Sequence, residues 1–285
     1  MTQALINLNE SKPTFQFVPP LWLIYGRNGI GKSYFASKSN APIFIDLDEN
    51  IFELPVDSNR SFDISIFTFQ DVISFLDMLY HQNHTYKTLV VDSLSSLEKL
   101  IIQKILLETG AKSLGDFQYG QGYLRMLPFW EQFLANLKLL RTVKKMTIIL
   151  LGHYKEKRDP NLTGESYLQY QIDLYERAAK LLVNCCSAVF FADDKVVVHH
   201  ERQAFGQEIA KAVASERVLY TDEGVKFLAK NTYGMPPILP MDWNTVYGYA
   251  KAHYQKIKAT FNDKQSVSNR EAPGVEQLTQ QEGAH

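Results

Sequence analysis

Eight consecutive residues, Gly26, Arg27, Asn28, Gly29, Ile30, Gly31, Lys32 and Ser33, satisfy the pattern G-x-x-x-x-G-K-[ST] in full. Each type answers a chemical need. Glycines let a loop wrap phosphate with its backbone N–H groups, and a helix opening behind the loop favours an anion. Lys32 can reach the β- and γ-phosphates of a nucleotide, and the Ser33 hydroxyl is a ligand type for Mg²⁺. The plain alternative is a chance glycine turn. Against it, the apolar run Leu21-Trp22-Leu23-Ile24-Tyr25 precedes the octet as a buried strand would, and residues 32–39 read as a helix.

A phosphate loop of this kind needs a carboxylate on a neighbouring strand to hold the metal ion. Asp92, closing the apolar run Thr88-Leu89-Val90-Val91, is that candidate, with Ser93 as a secondary contact. The same residue would also serve as an ordinary helix cap. Hydrolysis further requires a group that orients or deprotonates the attacking water. Asp48 and Glu49, after the apolar run Pro42-Ile43-Phe44-Ile45-Asp46, are the candidates, set against the reading of a solvated acidic turn. His153 ends another apolar strand and can hydrogen-bond the γ-phosphate or the water; a plain strand-end histidine is the alternative.

The elements that must position these groups alternate in type. Strands are expected at 21–25, 42–46, 88–92 and 146–151, with helical spacing at 69–80, 97–108 and 123–144, where Pro128 starts or kinks the helix. Residues 114–122 form a glycine-rich aromatic segment, and 154–164 read as a polar loop followed by a helix from about 168 to 185. Strand composition returns at 188–192, 195–200 and 216–221, and a last helix is expected over 242–261. Such an order predicts an α/β fold whose mostly parallel twisted sheet is flanked by helices and carries an antiparallel edge. It divides into an N-terminal extension (1–19), a core with its C-terminal helix (20–261) and a polar tail expected to be disordered (262–285).

With 45% hydrophobic and 21% charged residues, the 285-residue chain can bury a large core, which excludes wholesale disorder. A formal net charge of −1 supplies no global field for nucleic acid, so any such contact needs a local basic patch. The two cysteines, Cys185 and Cys186, are adjacent; a disulfide framework is not expected, and a reducing cytoplasm fits. No cationic stretch followed by an apolar run opens the sequence, and no membrane-spanning segment is expected.

Five segments in order, LIYGRNGIGKS (23–33), PIFIDLDEN (42–50), TLVVDSLSSLE (88–98), IILLGHYKEKR (148–158) and ERVLYTDEGVKFLAKNTYGMPP (216–237), give the chain a specific likeness. It resembles the phage-encoded RecA-like P-loop ATPases of AAA type, a group similar to single-strand-annealing recombinases confined to a RecA core. The resemblance implies a RecA-like P-loop NTPase fold, ATP and Mg²⁺ as ligands, a homo-oligomer, and a role in phage DNA recombination or replication. It places Asp48 where the family has its catalytic glutamate, His153 where it has a polar γ-phosphate sensor, and Lys230 where a basic residue reaches a neighbouring subunit's nucleotide. Two departures stand out: Asp48 is a carbon shorter than glutamate, and Thr232 occupies the place of a trans-acting arginine. Slow turnover, or turnover stimulated within an assembly on DNA, is the expectation.

By order, the two DNA loops of RecA-like proteins correspond to 114–122 and 154–170. Lys155, Lys157 and Arg158 can meet phosphates, while Phe117, Tyr119, Tyr167 and Tyr170 can stack on bases, although Glu156, Asp159 and Glu165 dilute the positive field. A single-strand-binding protein is a candidate further partner, and whether 262–285 recruits it is left open by the sequence. Other readings of the same motifs are a nucleotide-gated protein-interaction switch and a P-loop kinase or helicase-type motor. The kinase lacks an identifiable arginine-rich lid and the motor an accessory DNA-engaging domain, and neither absence is decisive.

Overall fold

In the computed structural model, residues 17–48, 66–160, 166–202 and 208–270 are described. They fall into two compact units, one spanning Val18–Ala250 and the other comprising Phe17 with 251–270. The larger unit is built on one eight-stranded sheet. Strands β1 (Leu21–Gly26), β2 (Pro42–Asp46), β3 (Thr88–Asp92) and β4 (Thr147–Gly152) are each five or six residues long, and almost every side chain on them is buried. Continuous apolar runs of this kind suit strands covered on both faces, and here they pair in parallel.

Next to β1 on its other side lies β7 (Ala188–Arg202), also parallel to it, which then folds back antiparallel into β8 (Glu208–Tyr220). The short strands β9 (Lys230–Asn231) and β10 (Ile238–Pro240) pair with β7 and β8 respectively. Read across, the order is β10-β8-β7-β1-β4-β3-β2. The expected parallel sheet with an antiparallel edge is thus present, but the strands foreseen at 188–192 and 195–200 are one continuous strand, β7, and the one foreseen at 216–221 is the end of its long antiparallel partner β8.

Helix α1 (Lys32–Ser37) follows the phosphate loop; α2 (Phe69–His81), α3 (Leu94–Thr109) and α5 (Leu127–Thr142) follow in the chain, separated from one another by loops, β3 and the short turn α4 (Gln121–Leu124). Thr68 and Asp71 form a reciprocal capping box at the start of α2. Pro128 sits in the first turn of α5, where its missing N–H is no loss, so it starts the helix and does not kink it. Phe133, Leu137 and Leu140 of α5 are buried at helical spacing, as the sequence pattern requires.

Two expectations fail around residue 154. The segment read as a polar loop is a strand, β5 (Tyr154–Pro160), and the first residues of the expected helix form β6 (Ser166–Ile172), antiparallel to it. Helix α6 begins only at Glu176 and ends at Cys185. Leu168, Tyr170 and Ile172 alternate with Gln169 and Gln171, a period of two that suits a strand and competes with the helical pattern further on. The last helix, α7 (Trp243–Arg270), runs past the expected end at 261, and 271–285 lie outside the described residues.

Trp22 anchors the larger unit from β1. Its ring is fully buried and meets Phe190, Tyr233, Trp243 and Tyr247 at centroid separations of 5.5, 6.2, 5.5 and 6.3 Å. Replacing it with alanine removes the centre of this cluster. Trp22→Ala is expected to lower unfolding stability by about 3–5 kcal/mol, read as a lower urea midpoint with an unchanged denaturant slope.

Candidate nucleotide site

Four parallel strands end on the same edge of the sheet, and each delivers one part of the site. The phosphate loop leaves β1 at Gly26, His153 follows β4, Asp92 closes β3, and Asp48 lies two residues beyond β2. A parallel sheet gathers ligand groups at its carboxyl edge in this way. Asp92 stands one strand further from the loop than the expected neighbouring strand, because β4 lies between β1 and β3. That intervening strand is what brings His153 between the loop and the carboxylates.

The loop itself needs its glycines. Gly29 and Gly31 have φ of 76° and 103°, the left-handed region that side-chain-bearing residues avoid. Gly26 lies so close to β7 that a Cβ there would collide with the Ala192 carbonyl oxygen. Lys32 is only 6% exposed, and its ammonium donates to the Gly26 and Arg27 carbonyls at 2.9 and 3.0 Å. Burial pulls its pKa down to about 8, against the attraction of Asp92 and Asp48.

Asp92 is equally enclosed, at 4% exposure, and accepts a short hydrogen bond from the Ser33 hydroxyl. Burial raises its pKa, Asp48 and Asp46 push the same way, and Ser33 and Lys32 oppose them. Ser33 Oγ and the Asp92 carboxylate are hard oxygen donors brought together beside the loop, which is a donor set that Mg²⁺ accepts. Ser93, next in the chain, is fully buried at the cap of α3.

Asp48 lies within reach of both flanking groups: Ser96 of α3 donates to its Oδ1, and His153 Nε2 is 3.3 Å from its Oδ2. Burial opposes the charge, but these hydrogen bonds outweigh it and hold the carboxyl at about 2, so Asp48 is an anion at neutral pH. Glu49, the other carboxylate candidate, lies outside the described residues. Asp48 and His153 line two adjoining clefts. One, of about 600 Å³, also takes in Gly31, Lys32, Ser33 and Asp92; the other, of about 670 Å³, includes Arg27, Ser96 and Lys99.

Other predicted residues lie away from these clefts. Lys230, on β9, donates to the Val183 carbonyl at 3.0 Å. Lys155 donates to the Leu174 carbonyl at 2.7 Å, while Lys157 and Arg158 are exposed along β5. Tyr119 is 96% exposed with φ of 56°, Phe117 packs on the core under the Arg125 guanidinium, and Tyr170 stacks on Phe191. The Tyr167 side chain lies outside the described residues. Arg217 of β8, which lines the smaller cleft, was not among the sequence candidates, since only the pairing of β8 with β7 brings it there.

Residues 19–233 match the family model of the AAA domain. The chain belongs to this AAA domain family. Among curated proteins none matches it. Family membership and the strand-edge geometry agree on an AAA-type P-loop ATPase with a nucleotide-binding role. No helix among the described residues is long and apolar enough to cross a membrane.

Nucleotide binding should therefore depend on the charge of Lys32. Below pH 8 the lysine of the free protein is protonated; above it, binding phosphate must take up a proton. ATP affinity is expected to hold steady from pH 7 to 8 and then fall by up to about tenfold per pH unit, measured by calorimetric titration. A flat affinity to pH 9.5 would remove Lys32 from the phosphate contacts.

Proposed function

We propose that the chain is a RecA-like ATPase that hydrolyses ATP with Mg²⁺ and acts on single-stranded DNA in phage recombination or replication. The observation that carries the hydrolytic part is the joining of Asp48, His153 and Asp92 around a complete phosphate loop. In this reading the loop N–H groups and Lys32 hold the phosphate chain, while Ser33 and Asp92 hold the metal ion. When bound, that ion neutralises phosphate charge. Asp48 orients the attacking water and accepts its proton, with Ser96 and His153 fixing the carboxylate's direction.

His153 also has a route to the hairpin β5–β6. Its carbonyl accepts the Asp173 N–H at 2.9 Å, and Ser95 of α3 donates to the Asp173 carbonyl at 3.0 Å. Glu98 of α3 accepts the Tyr175 N–H at 2.9 Å, and burial raises that carboxyl to about 7. The base of the hairpin is thus fastened both to the residue after β4 and to the helix that supports Asp48. That connection supports a nucleotide-dependent placement of Lys157 and Arg158 against a DNA backbone, with exposed Tyr119 and Tyr123 available to bases. A homo-oligomer on DNA is part of the proposal, with Lys230 reaching the nucleotide of an adjacent copy, and a single-strand-binding protein is a further partner.

Two measurements test the two halves. Asp48→Asn should retain ATP binding and lose turnover by about a hundred- to ten-thousandfold, whereas Lys32→Ala should lose binding itself. Normal hydrolysis by Asp48→Asn would transfer the role to another group. For DNA, anisotropy of a labelled single strand should rise with the chain in the presence of ATP and Mg²⁺ and weaken steeply with salt. No saturable binding in any nucleotide state would leave a protein-interaction switch as the better account.

A further inference from the structure

The expected trans-acting arginine is replaced by Thr232, yet the phosphate loop is not without a guanidinium. Arg217 reaches it from β8. A Cβ built on Gly31 would lie 3.0 Å from Arg217 Nη1, which places the guanidinium directly against the glycine that precedes Lys32. Arg217 lines the same cleft as Lys32, Ser33, Tyr34 and Asp92.

Its surroundings explain why it is there. In the β7–β8 ladder Arg217 stands opposite Asp194, the carboxylate that would ordinarily neutralise it. Asp194 is already taken, since its Oδ2 accepts from the Arg27 guanidinium of the phosphate loop. Among the described residues Arg217 forms no ion pair, and it is solvent-exposed. Lys32 and the loop N–H donors add positive potential beside Arg217, while the carboxylates of the same cleft, Asp92 and Asp48, are held by Ser33, Ser96 and His153, so an incoming anion is the partner Arg217 lacks. A planar guanidinium is the side chain best suited to bind two oxygens of that anion at once.

We infer that Arg217 is a nucleotide-binding residue that clamps the α- and β-phosphates from beside Gly31, in the same chain as the loop. Its contact with Gly31 sets it against the loop whose N–H groups cradle the α- and β-phosphates, and it is absent from the neighbouring cleft of Arg27, Ser96 and Lys99, although Asp48 and His153 line both clefts. The contact would persist after hydrolysis, so it contributes to ADP and ATP affinity alike. It would also tie the β7–β8 hairpin to nucleotide occupancy.

This inference rests on the nucleotide-binding reading, and the test separates the two. Fluorescent ADP and ATP analogues are titrated with Mg²⁺ into the full chain, the Arg217→Ala, Arg217→Lys and Lys32→Ala variants, with thermal melts to check folding. The wild type is expected to bind both. Arg217→Ala should weaken ADP and ATP by similar factors, about ten- to a hundredfold, as loss of a charged hydrogen bond does, and Arg217→Lys should recover part of that affinity. Wild-type affinity in Arg217→Ala, beside a loss in Lys32→Ala, would overturn the inference and leave nucleotide binding intact. A loss confined to ATP would overturn the assignment to the α- and β-phosphates. If the wild type binds neither nucleotide, the underlying reading falls and the inference with it. Should Arg217→Ala melt early, Arg217→Gln is titrated in its place: a similar loss of ADP and ATP affinity supports the clamp, and wild-type affinity for both contradicts it.

Discussion

A buried ammonium and a buried carboxylate, Lys32 and Asp92, sit at one edge of an apolar sheet, and the site is organised around holding both there. Removing either charge from water costs several kcal/mol, and the enclosing structure must return it in hydrogen bonds and partners. Lys32 is met by two carbonyls of its own loop and Asp92 by the Ser33 hydroxyl. Neither is fully satisfied by this: burial leaves the lysine easier to deprotonate and the aspartate easier to protonate. A phosphate chain and a hard cation would relieve both at once. The loop is therefore preorganised for its ligand at the expense of its own charges.

That tension explains the strand order. Only a parallel arrangement brings the carboxyl ends of β1, β4, β3 and β2 to a single edge, and only the insertion of β4 between β1 and β3 sets His153 where it can bridge toward Asp48. The sheet is indifferent to the chemistry; its rigidity is what matters. Buried strands such as Leu89-Val90-Val91 leave the site groups little freedom to drift, and α3, capped at Ser93, brings Ser96 against Asp48 from the same rigid frame.

Residues whose placement at the strand edge follows from local spacing were legible in the sequence. The octet from Gly26 to Ser33, Asp92 at the end of an apolar run, and Asp48 and His153 after theirs each announce themselves within a few positions. Groups whose place depends on antiparallel register were not. Arg217 reaches Gly31 because β8 returns along β7 with Arg217 opposite Asp194, and nothing near Arg217 in the chain encodes that. The hairpin at β5–β6 was missed because its alternation lasts only a few residues before a helix of conflicting period, and its aromatics serve the core: Tyr170 packs on Phe191 and Tyr154. The Arg27–Asp194 pair, which frees Arg217, also joins residues far apart in sequence.

Calorimetric titration of the full chain with ATP, once with Mg²⁺ and once with the metal chelated, tests the central claim most directly. If Lys32, Ser33 and Asp92 form one charge-balanced site, ATP binds at a single site per chain and markedly more tightly with Mg²⁺, and Asp92→Asn abolishes most of that metal dependence. Equal affinity with and without Mg²⁺, or an unchanged metal dependence in Asp92→Asn, would contradict it.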